Sequence, residues 1–284
     1  MEIVKIAGPL ILAFIMLSLG IGLKLEDFKR VLIQPKDFFV GALSQIILFP
    51  LLALVLALLF PIPIELKVGL LLLAVAPGGV TTNIISKFAN GDVALSITLT
   101  AVISLLCFLT IPLIFSTFYP IITGESLLFK YSIKDIIIKI FLITTVPVLI
   151  GMILRAFMPN FFLKSEKYFV NLSFILFLIF LVTAIYKELD NIVGYFAASG
   201  LITLILNIVV IIFAFLLCKI FKIGKPQKKT ILIETGLQNG TLAIVVTGII
   251  FSDPIYLIPT ATYALIMYAI IFVYIIGLKI FNNN

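Results

Sequence analysis

One of the chain's thirteen acidic residues sits where a carboxylate is hard to keep. Glu234 lies well inside the apolar stretch 226–251, whereas the others fall in loops or near the ends of such stretches. An ionised side chain at membrane depth costs about 3 kcal/mol or more unless partners or a wet cavity receive it. Polar and permissive residues follow directly: Thr235, Gly236, Leu237, Gln238 and Asn239. Glu234 and Gln238 are four apart and so share a helix face. A second cluster reads Pro77-Gly78-Gly79-Val80-Thr81-Thr82-Asn83. Proline removes a backbone donor and glycine admits non-helical backbone, so the spacing predicts a helix broken inside the membrane. Gly236 offers the same permission in the later stretch. Backbone freed at such depth is tolerated only when buried in protein or lining a wet cavity. A packing kink alone would not call for Thr81, Thr82 and Asn83 directly after it.

Ser96 and Thr100 are also four apart on one face. By themselves they are equally consistent with interhelical glue. Gln45, midway through the stretch 38–60, is an amide that needs a partner at that depth. Together these groups supply oxygen, in a carboxylate, hydroxyls, amide carbonyls and unwound backbone. Hard oxygen donors suit hard cations, and one carboxylate among neutral oxygens suits a monovalent ion. Sodium is the abundant candidate, and from these residues alone a proton remains open. The chain has no histidine, which removes catalytic triads, imidazole metal sites and histidine proton relays. Cys107 and Cys218 stand alone in apolar runs and read as small buried hydrophobes. Without histidine or a catalytic lysine beside the deep polar groups, a membrane enzyme is not expected, nor is a bound cofactor.

The elements that must position these groups follow from composition. Of 284 residues 63% are apolar and only 12% charged, against about 45–50% and about 25% in soluble domains. The chain is an integral membrane protein whose solvent is the lipid bilayer, with one transporter domain over 1–284. Nine apolar stretches run approximately 4–23, 38–60, 66–89, 92–118, 134–157, 166–187, 193–222, 226–251 and 254–281. Their unbroken character predicts an all-α polytopic fold and argues against a β-barrel. The first stretch lacks a basic leader region and is expected to be a retained span. Assigning loops to alternate sides puts six basic residues with the N-terminus, including Lys5, Lys67, Lys130 and Lys187, and fourteen on the opposite side. The positive-inside rule then places the N-terminus outside and the C-terminus in the cytoplasm of the plasma membrane. The net charge of +7 is assigned to these loops, and no nucleic-acid partner is expected.

The two polar clusters occupy corresponding positions. Each half ends in an interrupted helix followed by one final helix, a pointer to an inverted-repeat transporter with its site at the midplane. The halves are 1–118 with four helices and 134–284 with five. At this point the sequence resembles the bile acid:sodium symporter family. The resemblance rests on Ala76-Pro77-Gly78-Gly79-Val80-Thr81-Thr82-Asn83, on Gly91-Asp92-Val93-Ala94-Leu95-Ser96 through Thr100, and on Glu234-Thr235-Gly236-Leu237-Gln238-Asn239. The early Gly20-Ile21-Gly22-Leu23 with Asp27-Phe28 is similar too, and the likeness runs essentially end to end.

The resemblance implies a sodium-coupled symporter of an organic anion, such as a bile acid-like, pantoate-like or other carboxylate or sulfonate. A proton-coupled carrier using Glu234 is the alternative. It implies two broken helices crossing at the midplane and nine spans, as in the animal bile acid carriers. Spans 3, 4, 8 and 9, with part of span 5, would form a core, against a panel of spans 1, 2, 6 and 7. A first sodium site would use Thr82, Asn83, Ser96, Thr100 and Glu234. A second would use Gln45, Glu234 and Gln238 with the main-chain carbonyls of Thr235 and Leu237. The substrate would meet Val80, Thr81 and Asn239, and the region of Met267 and Tyr268, where some bacterial relatives carry a His-Asn pair. Thr82 replaces the family's usual serine and keeps the hydroxyl.

The loop charges carry the first testable consequence. Single cysteines placed at Lys225 and at Asn284 are expected to react with an impermeant thiol reagent only after the cytoplasmic face is opened. Reaction of both from outside intact cells would reverse the orientation.

Overall fold

The computed structural model describes residues 2–126, 132–186 and 192–282. Lys130, Lys187 and Asn284 lie outside them. The chain is almost entirely helical. It opens with α1 (Glu2–Gly22), α2 (Leu25–Ile33) and α3 (Pro35–Leu43). A π-helical turn at Ser44–Leu48 leads into α4 (Phe49–Leu59), followed by α5 (Ile64–Ala74) and α6 (Thr81–Phe88). Then come α7 (Val93–Thr123), α8 (Ile133–Ile143), α9 (Thr145–Phe157), α10 (Pro159–Tyr186) and α11 (Ile192–Ile220). The last elements are α12 (Lys225–Gly236), α13 (Gly240–Ile250), a 3-10 turn at Pro254–Leu257 and α14 (Ile258–Asn282).

Among the described residues, five helical stretches are long and apolar enough to cross a membrane: Pro35–Leu59, Val93–Thr123, Ile133–Phe157, Ser199–Ile220 and Pro254–Gly277. A sixth is added if Ala7–Gly22 and Leu25–Ile33, bent by 72°, count together. The expected interrupted stretches are the pairs α5/α6 and α12/α13. Each member, at 8 to 12 residues, is shorter than the roughly 20 residues a bilayer crossing needs.

Local chemistry sets the ends. Asp92 caps α7 by accepting from Leu95 N at 3.1 Å, and α7 stops at Gly124, whose φ is 74°. α2 was not foreseen as a separate element, because its charges read as a loop. It forms because Asp27 in its first turn accepts from Lys24 N at 2.7 Å. Leu25, Leu32 and Ile33 are left exposed beside the charged residues, which suits a helix lying along the membrane–water boundary.

Packing divides the helices into two groups. α1 lies against α9 and α10, with lesser contact to α8 and α13. The approach of α1 to α9 is backbone to backbone: a Cβ on Gly20 would stand 2.1 Å from the Val148 carbonyl oxygen, and one on Gly151 2.3 Å from that of Leu17. Arg155 of α9 ties the group together, donating to Ile21 O and pairing with Glu166 of α10 at 3.2 Å. The second group is a body in which α3–α4 and α11 pack on the broken pairs, with α7 and α14 beside them. α2 crosses to this body, where Arg30 pairs with Asp92 and the Asp27 carbonyl accepts from Thr98 at 2.8 Å.

This grouping differs from the expected core and panel. Spans 2 (α3–α4) and 7 (α11) belong with the broken helices, and span 5 (α8–α9) sides with α1 while also touching α7. The reason is polar in one case and steric in the other. Spans 2 and 7 each carry a buried amide, Gln45 and Asn207, and the breaks are where free backbone groups await such partners. Span 5 carries the glycine that lets α1 come close.

Gly151→Leu is therefore expected to force α1 and α9 apart. Overpacking of this kind costs about 1–3 kcal/mol, read as a clear fall in the melting temperature of the detergent-solubilised protein. Gly194→Ala, where a Cβ meets nothing within 4 Å, should show no such fall.

Candidate functional site

The two breaks meet. Gly78 and Gln238 pair like two residues of antiparallel strands. Gly79 N donates to Leu237 O at 3.3 Å, and Asn239 N donates to Pro77 O at 2.8 Å. Each unwound segment thus supplies backbone partners that the other lost by leaving the helix, as burial away from water requires. α12 ends at Gly236, and Leu237 is extended at φ −112° and ψ 108°. α13 restarts with Asn239 as its cap, Oδ1 accepting from Leu242 N at 3.0 Å.

Glu234, one turn before the second break, is fully buried. The Ser96 hydroxyl donates to Oε1. The Thr100 hydroxyl lies 3.1 and 3.2 Å from the two carboxylate oxygens, and Gln45 Nε2 donates to Oε2 at 3.2 Å. No cation pairs with it: the ion pairs among the described residues are Arg30–Asp92 and Arg155–Glu166. Gly78 is the close neighbour on the first break, where a Cβ would stand 2.7 Å from Oε2. The carboxylate is therefore packed directly against the unwound backbone.

The structure brings Thr82, Asn83, Ser96, Thr100 and Glu234 into one cluster. Ser96 Oγ lies 2.9 Å from Asn83 Oδ1, and Thr82 Oγ1 lies 3.3 Å from Thr100 Oγ1 while donating to Gly79 O at 2.7 Å. The remaining oxygen donors stand at the crossing. Gln45 Oε1 accepts from Gly78 N at 3.3 Å, and Thr235 O accepts from Gln238 Nε2 at 3.0 Å. The other end of that amide, Gln238 Oε1, is buried with no hydrogen-bond donor among the described residues. An acceptor so placed lacks the donor that buried polar groups ordinarily find. The π-helical turn at Ser44–Leu48 contains Gln45, and such bulges re-aim side chains at functional positions.

Beside the crossing, a cavity of about 370 Å³ opens between α1 and α10 on one side and the two breaks on the other. Val80, Thr81, Asn239 and Tyr268 line it, with Ser18 and Asn171 opposite, and among the described residues its wall contains no lysine or arginine. Tyr268 reaches Thr81 at 3.1 Å, hydroxyl to hydroxyl. Met267 is instead buried in the hydrophobic core and is not part of this wall. As adjacent residues on α14 they point about 100° apart, so only one faces the cavity.

Sequence reasoning missed the support behind the second break. Gly236 O accepts from Asn207 Nδ2 at 2.8 Å and from the Tyr263 hydroxyl at 3.0 Å. Asn207 could have been found by the criterion that singled out Gln45, an amide midway through an apolar stretch. Tyr263 carried no such signal. Asp92 was noted only within a motif; it also accepts from Gln227 at 2.9 Å, which joins α7 to the start of α12.

The profile of the Sodium Bile acid symporter family matches residues 9–195. The uncharacterized sodium-dependent transporter YocS of Bacillus subtilis is 28% identical over 259 residues, covering 89% of this chain and 77% of that protein. The probable sodium/metabolite cotransporter BASS1, chloroplastic, of Arabidopsis thaliana is 30% identical over 88% of this chain. The hepatic sodium/bile acid cotransporter of Rattus norvegicus is 26% identical over 85% of this chain and 67% of its own length. The chain spans about three fifths of the plant relatives, 61% of the Arabidopsis protein and 58% of the probable sodium/metabolite cotransporter BASS2, chloroplastic, of Oryza sativa subsp. japonica.

Gly78→Ala is expected to push the new methyl group into the Glu234 carboxylate and open the crossing. A destabilisation of about 1–3 kcal/mol should appear as a lowered melting temperature. A wild-type melting curve for the variant would show that the carboxylate does not need this close approach.

Proposed function

The chain belongs to the sodium bile acid symporter family, and from that premise and its buried carboxylate we propose that it is a sodium-coupled symporter of an organic anion. Glu234 carries the reading. A fully buried carboxylate held only by neutral donors is tolerated when a proton or a bound cation neutralises it. Gln238 Oε1, buried without a hydrogen-bond donor among the described residues, supplies a further oxygen for such a cation.

Two sodium ions are the coupling ions. The first is held by Thr82, Asn83, Ser96, Thr100 and Glu234. The second is held by Gln45, Glu234 and Gln238 with the carbonyls of Thr235 and Leu237. The organic anion occupies the cavity against Val80, Thr81, Asn239 and Tyr268. Among the described residues its wall has no basic side chain, and the charge of the anion is offset by the ions behind the crossing. Two Na⁺, one carboxylate and one monovalent anion sum to zero. Two Na⁺ without the anion would leave one net positive charge, and the anion with a single Na⁺ one net negative charge, so the anion and the second Na⁺ are disfavoured from crossing the low-dielectric bilayer without each other. That is the physical basis of coupling. Asn239 serves both roles at the break: Oδ1 caps α13, and the same amide retains N–H donors for the anion.

Alternating access is a rocking of the α1, α8–α9 and α10 group against the body, with the cavity at the seam. The chain crosses the plasma membrane nine times, with the N-terminus outside, each broken pair counting as one crossing. Relatives are named for metabolites and for bile acids, and an organic anion is compatible with both.

In proteoliposomes, uptake of a panel of radiolabelled organic anions is expected with sodium outside and not with choline. Uptake that survives in choline would mark a proton-driven carrier. Glu234→Ala should abolish sodium-dependent uptake while the protein still inserts. Asn83→Ala and Gln238→Ala should raise the half-saturating sodium concentration roughly tenfold, the loss of one buried ligand. Asn239→Ala should instead weaken the anion at saturating sodium. If it weakens substrate-free sodium binding as much as Gln238→Ala does, the division into ion and substrate positions fails.

A further inference from the structure

We infer that Asn207 and Tyr263 are positioning residues for the second sodium site, gripping the carbonyl of Gly236 so that the Leu237 carbonyl and the Thr235–Gln238 turn point at the ion. The inference rests on the sodium-symport reading above and concerns two residues that touch neither ion nor substrate.

The observations concern one carbonyl. α12 stops at Gly236 and the chain becomes extended at Leu237, so the Gly236 oxygen has no helical N–H to accept from. Asn207 of α11 and Tyr263 of α14 close on it from the body side. Asn207 Nδ2 lies 2.8 Å from Gly236 O and 2.7 Å from the Tyr263 oxygen, and the Tyr263 hydroxyl lies 3.0 Å from Gly236 O. The proton count closes without remainder. An amide nitrogen carries two hydrogens, one for the carbonyl and one for the phenol oxygen, and the phenol hydrogen goes to the carbonyl. Both lone pairs of Gly236 O are then used. Asn207 Oδ1, by contrast, is buried without a donor, so the side chain is retained for its donor end. Both side chains are fully buried, and the Tyr263 ring packs beside Phe49 of α4 with centroids 5.8 Å apart.

Gripping this carbonyl fixes more than one atom. The peptide group is planar, so the Gly236 carbonyl fixes the Leu237 N–H, which donates to Ile233 O at 3.0 Å. From that fixed plane the φ and ψ of Leu237, −112° and 108°, direct the Leu237 carbonyl, which meets Gly79 N at 3.3 Å. Thr235, on the other side of Gly236, accepts from Gln238 Nε2 at 3.0 Å. The clamp therefore stands directly behind the proposed ligands of one ion and away from the Ser96–Thr100 cluster of the other. It also parallels Gln45. Spans 2 and 7 each extend one carboxamide to a break, Gln45 accepting from Gly78 N and Asn207 donating to Gly236 O.

The test uses the full chain in detergent, without organic anion, and reads melting temperature against sodium concentration at constant ionic strength made up with choline. Tyr263→Phe keeps the ring and removes one donor to Gly236. Asn207→Leu keeps the volume and removes two donors. Thr203→Val lies one turn before Asn207 in the same α11–α14 interface, where its hydroxyl bonds to Ser199 O at 2.8 Å, and serves as the control for lost buried polarity. Tyr263→Phe and Asn207→Leu are expected to raise the half-saturating sodium concentration roughly three- to tenfold, as losing one such hydrogen bond would. Thr203→Val should leave it unchanged even if its melting temperature in choline drops. Should Asn207→Leu not fold, Tyr263→Phe decides alone. Wild-type half-saturation in Tyr263→Phe, whatever its stability in choline, overturns the clamp while leaving the symport reading intact. A wild-type protein that does not respond to sodium at all overturns both.

Discussion

The structure depends on one fully buried carboxylate that has no cationic partner among the described residues. Glu234 is fully buried, and its partners are the hydroxyls of Ser96 and Thr100 and the amide of Gln45. Donors of this kind share the charge without cancelling it. A salt bridge would satisfy Glu234 permanently and leave nothing for a mobile cation to do. Neutral oxygens leave the carboxylate's charge uncancelled, which is what the proposed coupling ion would supply. Gly78 follows from the same constraint, since a side chain there would occupy the space of the carboxylate oxygen.

Breaking two helices in the same plane creates a second difficulty, which the fold resolves by crossing them. Free N–H and C=O groups in a membrane interior need protein partners. Gly79 N and Leu237 O satisfy one another, as do Asn239 N and Pro77 O, in a short strand-like pairing inside an otherwise helical protein. What the crossing leaves over is met from outside it, by Gln45 at Gly78 N and by Asn207 with Tyr263 at Gly236 O. This explains why spans 2 and 7 lie against the broken pairs. Their amides are the groups that complete the backbone accounting.

The remaining helices form the other wall of the cavity. α1, α9 and α10 are joined by close glycine contacts and by Arg155, which makes them a unit able to move as one. The body is joined by the polar network of the crossing. Between the two lies a cavity lined mainly by apolar side chains, with a few hydroxyls and amides.

Much of this was legible in the chain itself. Apolar run lengths gave the helical membrane class, Pro77-Gly78-Gly79 and Gly236 marked the breaks, and the depth of Glu234 marked the site, because a carboxylate or a broken helix within an apolar run is costly wherever the rest of the chain goes. Local charge patterns were less decisive: α2 read as a loop, since amphipathic helices at an interface and charged connections share a composition. The grouping of the helices, the burial of Met267 away from the cavity and the clamp at Gly236 were decided by tertiary structure alone. Each depends on which side of a helix meets which neighbour across sequence separations of tens to hundreds of residues. Tyr263 shows this most plainly. Within its apolar stretch it looks like any aromatic core residue, and its hydroxyl acquires a role only because α12 happens to end, in space, beside it.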